Sequence, residues 1–258
     1  MSEGLQIERL QEQMRRLRLG RSGEQLPALL EGAAKRALSY SDFLEELLTS
    51  EITGKQERNT AMRVAMAHLP FVKTLESFEF KFQPSIDQKL VRELATGRFV
   101  AGAENVLLFG PPGVGKTHLA IALGRAVVEA GHSVLFVTAT SLLAQLARAQ
   151  VEGKLADQIS FYAKPKLLVI DELGYLPLEK QTAHLFFQLV SRRYERGSML
   201  ITTNQTITQW GNVFGDEMIA SAVLDRVLHH SHVLMIQGDS FRLRQKKRAG
   251  LLGSKGSN

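Results

Sequence analysis

The sequence contains no cysteine, which excludes a disulfide framework, thiolate zinc sites and cysteine nucleophiles together. No uncharged apolar run approaches the roughly 18 residues of a membrane span. The opening Met1-Ser2-Glu3-Gly4 becomes charged at once and does not read as a secretory signal. A soluble, cytoplasmic protein without a membrane partner is therefore expected. Aromatic residues make up only 7%, so platforms for stacking unpaired bases are few. Positive charge is scarcer than the net +6 suggests. Residues 241–258 hold Arg242, Arg244, Lys246, Lys247, Arg248 and Lys255 and no acid, which leaves 26 basic and 26 acidic groups for the rest of the chain. Such a sum describes a basic tail on a neutral body, not a basic globular face. Collagen-like and wholly disordered classes are excluded by 44% hydrophobic and 22% charged residues. No internal repeat or long linker is visible.

What is present changes character near residue 70. Residues 5–68 read as helical, with Ile7, Leu10, Met14 and Leu17 at three- and four-residue steps. A second helix is expected to start at Leu26-Pro27, where proline suits a first turn. A third is expected behind a Ser41-Asp42 cap. Arg15, Arg16, Arg18 and Arg21 cluster within seven positions, either as a solvated helix face or as phosphate contacts. Leu69-Pro70 ends the pattern. This divides the chain into a helical domain over 1–70, a second domain over 71–240 and a tail over 241–258.

From residue 105 the pattern alternates. The short apolar run at 105–109 reads as a strand buried on both faces of a parallel sheet, those at 133–137, 166–170, 198–203 and 232–236 read as further strands, and helical stretches separate them. The expected fold is a doubly wound α/β domain with a mostly parallel sheet flanked by helices.

The first of these strands runs into Gly110-Pro111-Pro112-Gly113-Val114-Gly115-Lys116-Thr117, a G-x-x-x-x-G-K-[ST] loop leading into a helix. Its glycines let backbone N–H groups turn inward around an anion, and the following helix points its positive end at phosphates. Lys116 supplies a compact charge for the β- and γ-phosphate oxygens, and the Thr117 hydroxyl can bind Mg²⁺. His118 follows directly. The run Leu167-Leu168-Val169-Ile170-Asp171-Glu172 places two carboxylates at the end of a buried strand, where α/β ligands bind. Asp171 suits Mg²⁺. Glu172 suits polarising a water for attack on the γ-phosphate, which favours hydrolysis over transfer to a metabolite. Asn204 ends the next strand, as a turn residue or as a group that orients the attacking water. Arg226 precedes the last strand, as a surface ion pair or as a cation supplied to a neighbouring subunit's nucleotide. No guanine-reading N-K-x-D follows the strands, which favours ATP over GTP.

With these motifs the chain resembles the AAA+ ATPases, and within them the IstB/DnaC-like group. That group comprises the ATP-binding helper proteins of IS21-type transposons and the bacterial helicase loaders. The resemblance spans roughly residues 41–244. Beyond the loop and the acidic strand end it rests on residues 69–80, Ile170-Asp171-Glu172-Leu173-Gly174, Arg193-Tyr194-Glu195-Arg196-Gly197-Ser198, Thr202-Thr203-Asn204 and Leu224-Asp225-Arg226. It implies a P-loop AAA+ core behind a small all-α domain. It places Lys116 and Thr117 in Walker A, Asp171 and Glu172 in Walker B, Asn204 as sensor 1 and Arg226 as the arginine finger. It also puts Phe78, within Glu76–Phe80, near the adenine. Homo-oligomers with ATP between subunits follow. So does an inserted helical pair over 140–162 that contacts DNA through Arg148 and Lys154, although a Leu/Ala-rich stretch there equally suits packing. The tail over 241–258 is too short for the helical lid of many relatives.

Two functions remain after this. One is an ATPase that binds double-stranded DNA, through groups such as Arg15, Arg16 and Arg18, and assists a cognate transposase in choosing and preparing its target. The other is a helicase loader that grips single strands, for which 140–162 offers only Phe161 and Tyr162 as stacking groups.

Overall fold

A computed structural model describes residues 3–175 and 177–248. The tail's Lys255 lies outside the described residues. The chain divides into two compact units, Met1–Met62 and Arg63–Asn258.

The first unit is helical: α1 (Glu3–Arg16), α2 (Gly20–Arg36) and α3 (Tyr40–Met66), whose last turn passes the division. Helix α2 starts at Gly20, six residues before the expected start, so Pro27 sits inside it. Proline has no N–H to give the Gly23 carbonyl. The Gln11 side chain supplies that bond instead, at 2.9 Å, and the helix passes through. The cap of α3 is Ser39, two residues before the expected Ser41. Its hydroxyl accepts from the Asp42 N–H at 3.2 Å, while Asp42 accepts from the Ser39 N–H at 3.3 Å, a reciprocal box that satisfies two donors at once. Glu51 is buried yet accepts from the Ser22 N–H at 3.0 Å and pairs with Arg58 at 3.3 Å. Burial pushes its pKa up, but that hydrogen bond and the charges of Lys55 and Arg58 outweigh it and hold the carboxyl low.

In the second unit α4 (Gln88–Ala95) and α5 (Arg98–Ala101) precede β1 (Asn105–Phe109). There follow α6 (Lys116–Glu129), β2 (Val134–Thr138), α7 (Ala139–Val151), α8 (Leu155–Ala163), β3 (Leu167–Leu173), α9 (Lys180–Arg193) and β4 (Ser198–Thr203). Then come α10 (Trp210–Phe214), α11 (Glu217–Leu228), β5 (Ser231–Met235) and α12 (Phe241–Arg248). The strands form one sheet in the order β2-β3-β4-β1-β5, every pairing parallel. Alternate residues feed two cores. Leu107, Phe109, Leu168 and Ile170 enter one; Val106, Leu108, Leu167 and Val169 enter the other. This is why the central strands read as unbroken apolar runs. The break between α7 and α8 falls at Gly153, as the sequence suggests.

Because β4 lies between β3 and β1, the segments that leave these three strands meet at one edge of the sheet. In open α/β sheets ligands bind in the crevice at that edge. Arg193 secures the opposite ends of β3 and β4. Although 1% exposed, it has no carboxylate partner among the described residues. Its two terminal nitrogens donate instead to the carbonyls of Tyr162, Pro165, Lys166 and Ser198 at 2.6–3.2 Å. Burial lowers its pKa to about 10, so the guanidinium stays charged at neutral pH. The Arg193–Ser198 segment, singled out from sequence, is thus a brace for the sheet.

Candidate functional site

The strand-to-helix turn after β1 builds the first wall. Gly115 caps α6 with φ of 101°, and a β-carbon there would meet the Phe78 ring at 2.7 Å. Only glycine meets both conditions. The Val114 side chain turns into the core, which leaves the backbone of the loop facing outward. Lys116 bends back over the loop, its ammonium donating to the Gly110 carbonyl at 2.7 Å and the Pro111 carbonyl at 2.9 Å. A cleft of about 620 Å³ opens over this turn. Pro112 to His118 line its floor, and Phe78, Phe82 and Phe241 stand on one part of its wall. Glu172, Thr202 and Asn204 contribute from the ends of β3 and β4.

The acidic end is organised by threonines. Asp171 is buried and accepts from the Thr117 hydroxyl at 3.0 and 3.1 Å and from the Thr202 hydroxyl at 2.6 Å. Thr202 in turn accepts from the Glu172 N–H at 2.9 Å. Register explains the difference between the two acids. Ile170 pairs with Ile201 and Leu173 with Thr203, so Asp171 and Glu172 together face Thr202 alone. This is a β-bulge. Its second residue takes φ of 62°, a conformation that costs a non-glycine side chain on the order of 1–2 kcal/mol. Glu172 is thereby exposed and lines the cleft while Asp171 stays inside. Sequence reasoning gave no role to Thr202. Its signal was a hydroxyl directly after the apolar run Met199-Leu200-Ile201, at the end of the strand beside Asp171.

Thr117 and Asp171 bring a hydroxyl and a carboxylate to one point, an oxygen-only donor set that fits a hard divalent cation such as Mg²⁺. His118 faces the segment before α4. Its Nε2 lies 3.1 Å from the Thr74 carbonyl and 3.2 Å from the Ser77 hydroxyl, and its ring meets Phe78 edge-on at 5.1 Å. Burial first, and the charge of Lys73 second, lower its pKa despite the Thr74 bond.

The remaining candidates stand elsewhere. Arg226 is not among the residues that line the cleft. It donates to the Ala222 carbonyl at 2.9 Å and lies 4.8 Å over the Phe187 ring. Arg148 bonds Glu152 at 2.7 Å and Lys154 lies 3.9 Å from the same carboxylate, so the two cations share one acid beside Gly153. In the helical unit Arg15 and Arg16 are exposed and share Glu12 at 3.5 and 3.3 Å. Arg18 is exposed in the turn before α2, with φ of 58°. Among the described residues no helix is long and apolar enough to cross a membrane.

A parallel β2-β3-β4-β1-β5 sheet with a glycine-rich turn after β1 and acids near the end of β3 is the P-loop AAA+ core. Solved structures share it. DnaI matches with a TM-score of 0.53 at 21% identity, over 66% of this chain and 92% of its own. AMPPCP-bound DnaA from Aquifex aeolicus matches with a TM-score of 0.55 at 19% identity, over 74% of this chain and 58% of its own. These likenesses concern the fold. The family follows from sequence: residues 12–249 match the IstB-like ATP binding protein family, and the chain belongs to it. A protein of insertion sequence IS21 from Pseudomonas aeruginosa, named as ATP-binding, is 49% identical over 92% of this chain and 89% of its own length. A protein of IS5376 from Geobacillus stearothermophilus, named likewise, is 43% identical over 93% of this chain and 96% of its own.

Proposed function

We propose that the protein is an ATP-hydrolysing, DNA-binding oligomer that assists the transposase of an insertion sequence in selecting and preparing target duplex. The observation that carries the ATPase part is the convergence of Lys116, Thr117 and Glu172 on one cleft, with buried Asp171 hydrogen-bonded to Thr117 behind it. The insertion-sequence part is supported by relatives named for IS21 and IS5376 that match nearly end to end.

In this reading the triphosphate lies along the backbone N–H groups of the loop, and Lys116 exchanges the Gly110 and Pro111 carbonyls for β- and γ-phosphate oxygens. Thr117 and Asp171 would hold Mg²⁺, whose charge would neutralise phosphate charge. Thr202 orients Asp171 by donating to it. Glu172 accepts a proton from water as the water oxygen bonds to the γ-phosphorus. The bond from phosphorus to the β,γ-bridging oxygen breaks, ADP leaves with that electron pair, and the proton passes to phosphate. Asn204 orients the attacking water. Arg226, which does not line its own cleft, acts on the nucleotide of a neighbouring subunit and makes turnover depend on assembly. The helical unit and the Arg148–Lys154 turn contact duplex phosphates. Singly these exposed pairs contribute little, but in an oligomer they repeat along the DNA.

The test measures ATPase rate and particle size with duplex DNA, single-stranded DNA or neither, in wild type and Arg226→Ala. Duplex-stimulated turnover in a large particle is expected, together with an Arg226→Ala protein that binds ATP but neither assembles nor turns over. Normal turnover by a monomeric Arg226→Ala protein would show the finger to be misassigned. Salt-insensitive duplex binding, or retention by a replicative helicase in place of a transposase, would overturn the proposed partnership.

A further inference from the structure

The cleft has a wall that its motifs do not account for. Beyond β5 the Ile236 N–H donates to the Phe109 carbonyl at 2.8 Å, which brings the chain to the foot of the phosphate loop. It is then pinned to the segment before α4. The Gln237 N–H donates to the Ser85 hydroxyl at 2.9 Å, that hydroxyl donates to the Gln237 carbonyl at 3.0 Å, and Gln83 donates to the Asp239 carbonyl at 3.3 Å. Ser240 approaches the loop so closely that a β-carbon on Gly113, whose φ is 85°, would sit 2.2 Å from the serine hydroxyl. The next N–H, that of Phe241, donates to the Gly113 carbonyl at 3.0 Å. Phe241 opens α12, meets Phe82 edge-on with centroids 5.4 Å apart, and lines the cleft; Arg244 lies 4.6 Å over Phe82.

We propose that Phe241 is a nucleotide-binding residue, and that nucleotide occupancy fixes the basic helix α12 against the phosphate loop. This rests on the ATP reading of the cleft. Lys116 and Thr117 anchor phosphates, and Glu172 and Asn204 take the γ end. Base and ribose are left with the wall of Phe78, Phe82 and Phe241, where aromatic rings offer stacking surface to a purine. Helix α12 is eight residues long and carries Arg242, Arg244, Lys246, Lys247 and Arg248 with no acid. A helix so short and so uniformly charged is marginal by itself. Its attachment at Gly113 and Phe82 is therefore what positions it, and a base against Phe241 adds to that attachment. Coupling of this kind is reciprocal: a nucleotide that orders α12 binds more weakly when α12 cannot engage.

Two measurements on the full-length protein test it. Fluorescent ADP and ATP analogues should bind Phe241→Ala on the order of tenfold more weakly than wild type, as for loss of one stacking partner, with Phe241→Tyr near wild type. Trypsin cleavage after Arg244 to Lys247, followed by mass spectrometry, should slow several-fold when a non-hydrolysable ATP analogue is added to wild type, and should not respond in Phe241→Ala. Equal affinity of wild type and Phe241→Ala, or cleavage indifferent to a nucleotide that wild type binds, overturns the inference and leaves the ATP reading standing. Failure of wild type to bind any nucleotide overturns both.

Discussion

The charges of the cleft and the charges of the exposed turns are built on opposite principles. Asp171 is 4% exposed and receives hydrogen bonds from two threonine hydroxyls on two different elements. Its neighbour Glu172 is held out of the sheet by a bulge and a left-handed backbone. Arg15, Arg16, Arg148 and Lys154 have surface carboxylates as partners, and each of these four side chains is about two-thirds exposed or more. Buried groups are oriented because the fold leaves them no alternative, and strain is tolerated where packing over-determines it. Exposed pairs exchange freely with water and salt, and each contributes about 0–1 kcal/mol. The first region can do chemistry with single residues; the second can act only through number.

Glu172→Gln should therefore give the largest effect. The amide keeps size and conformation but cannot take a proton, so turnover should fall by roughly 10²–10⁴-fold while analogue binding and particle size persist. A loss of less than tenfold would remove Glu172 from the chemistry. Thr202→Val should come next. It strips one donor from Asp171 and leaves the Glu172 N–H without an acceptor, at a cost of about 1–3 kcal/mol in unfolding free energy. Mg²⁺-dependent nucleotide affinity should weaken with it, and Thr202→Ser should restore both. If valine proved neutral in denaturant titration and in nucleotide binding, the threonine bridge would not be what organises the acids.

How much of this was readable beforehand follows the same division. The central strands, the loop and the Asp171–Glu172 pair were legible because burial on two faces and phosphate binding each impose a local residue pattern. Arg193 was visible only as part of a segment. Its role depends on carbonyls from α8, the turn before β3 and the start of β4 that no sequence spacing brings together. Thr202 was missed for the same reason, since its partners lie 30 and 31 residues away in sequence. The start of α2 was misplaced because Pro27 ordinarily opens a helix, and the side chain that rescues Gly23 comes from α1. Local rules failed wherever a remote group satisfied a local deficit.

Two smaller effects sharpen the comparison from its weak side. Replacing Arg15 and Arg16 together by alanine should change stability by no more than about 0.5 kcal/mol. If they meet DNA phosphates, the slope of log affinity against log salt should fall by about one per arginine that makes a contact. An unchanged slope would assign the pair to solvent alone.

The smallest effect concerns His118, which belongs to the cleft yet titrates. Burial holds its folded pKa below the usual 6.5. The unfolded chain therefore takes up the proton first as pH falls, and the histidine's contribution is complete above pH 6.5 and is lost progressively below it. Replacing the ring by asparagine removes the Thr74 contact at every pH, a constant offset, and removes the proton linkage, a slope. The difference in unfolding free energy between wild type and His118→Asn should thus be flat from pH 7.5 to about 6.5 and shrink from there to pH 5, measured by denaturant titration at fixed ionic strength. A pH-independent difference would mean that the ring, despite its place between Thr74 and Phe78, is as freely protonated as a histidine in water.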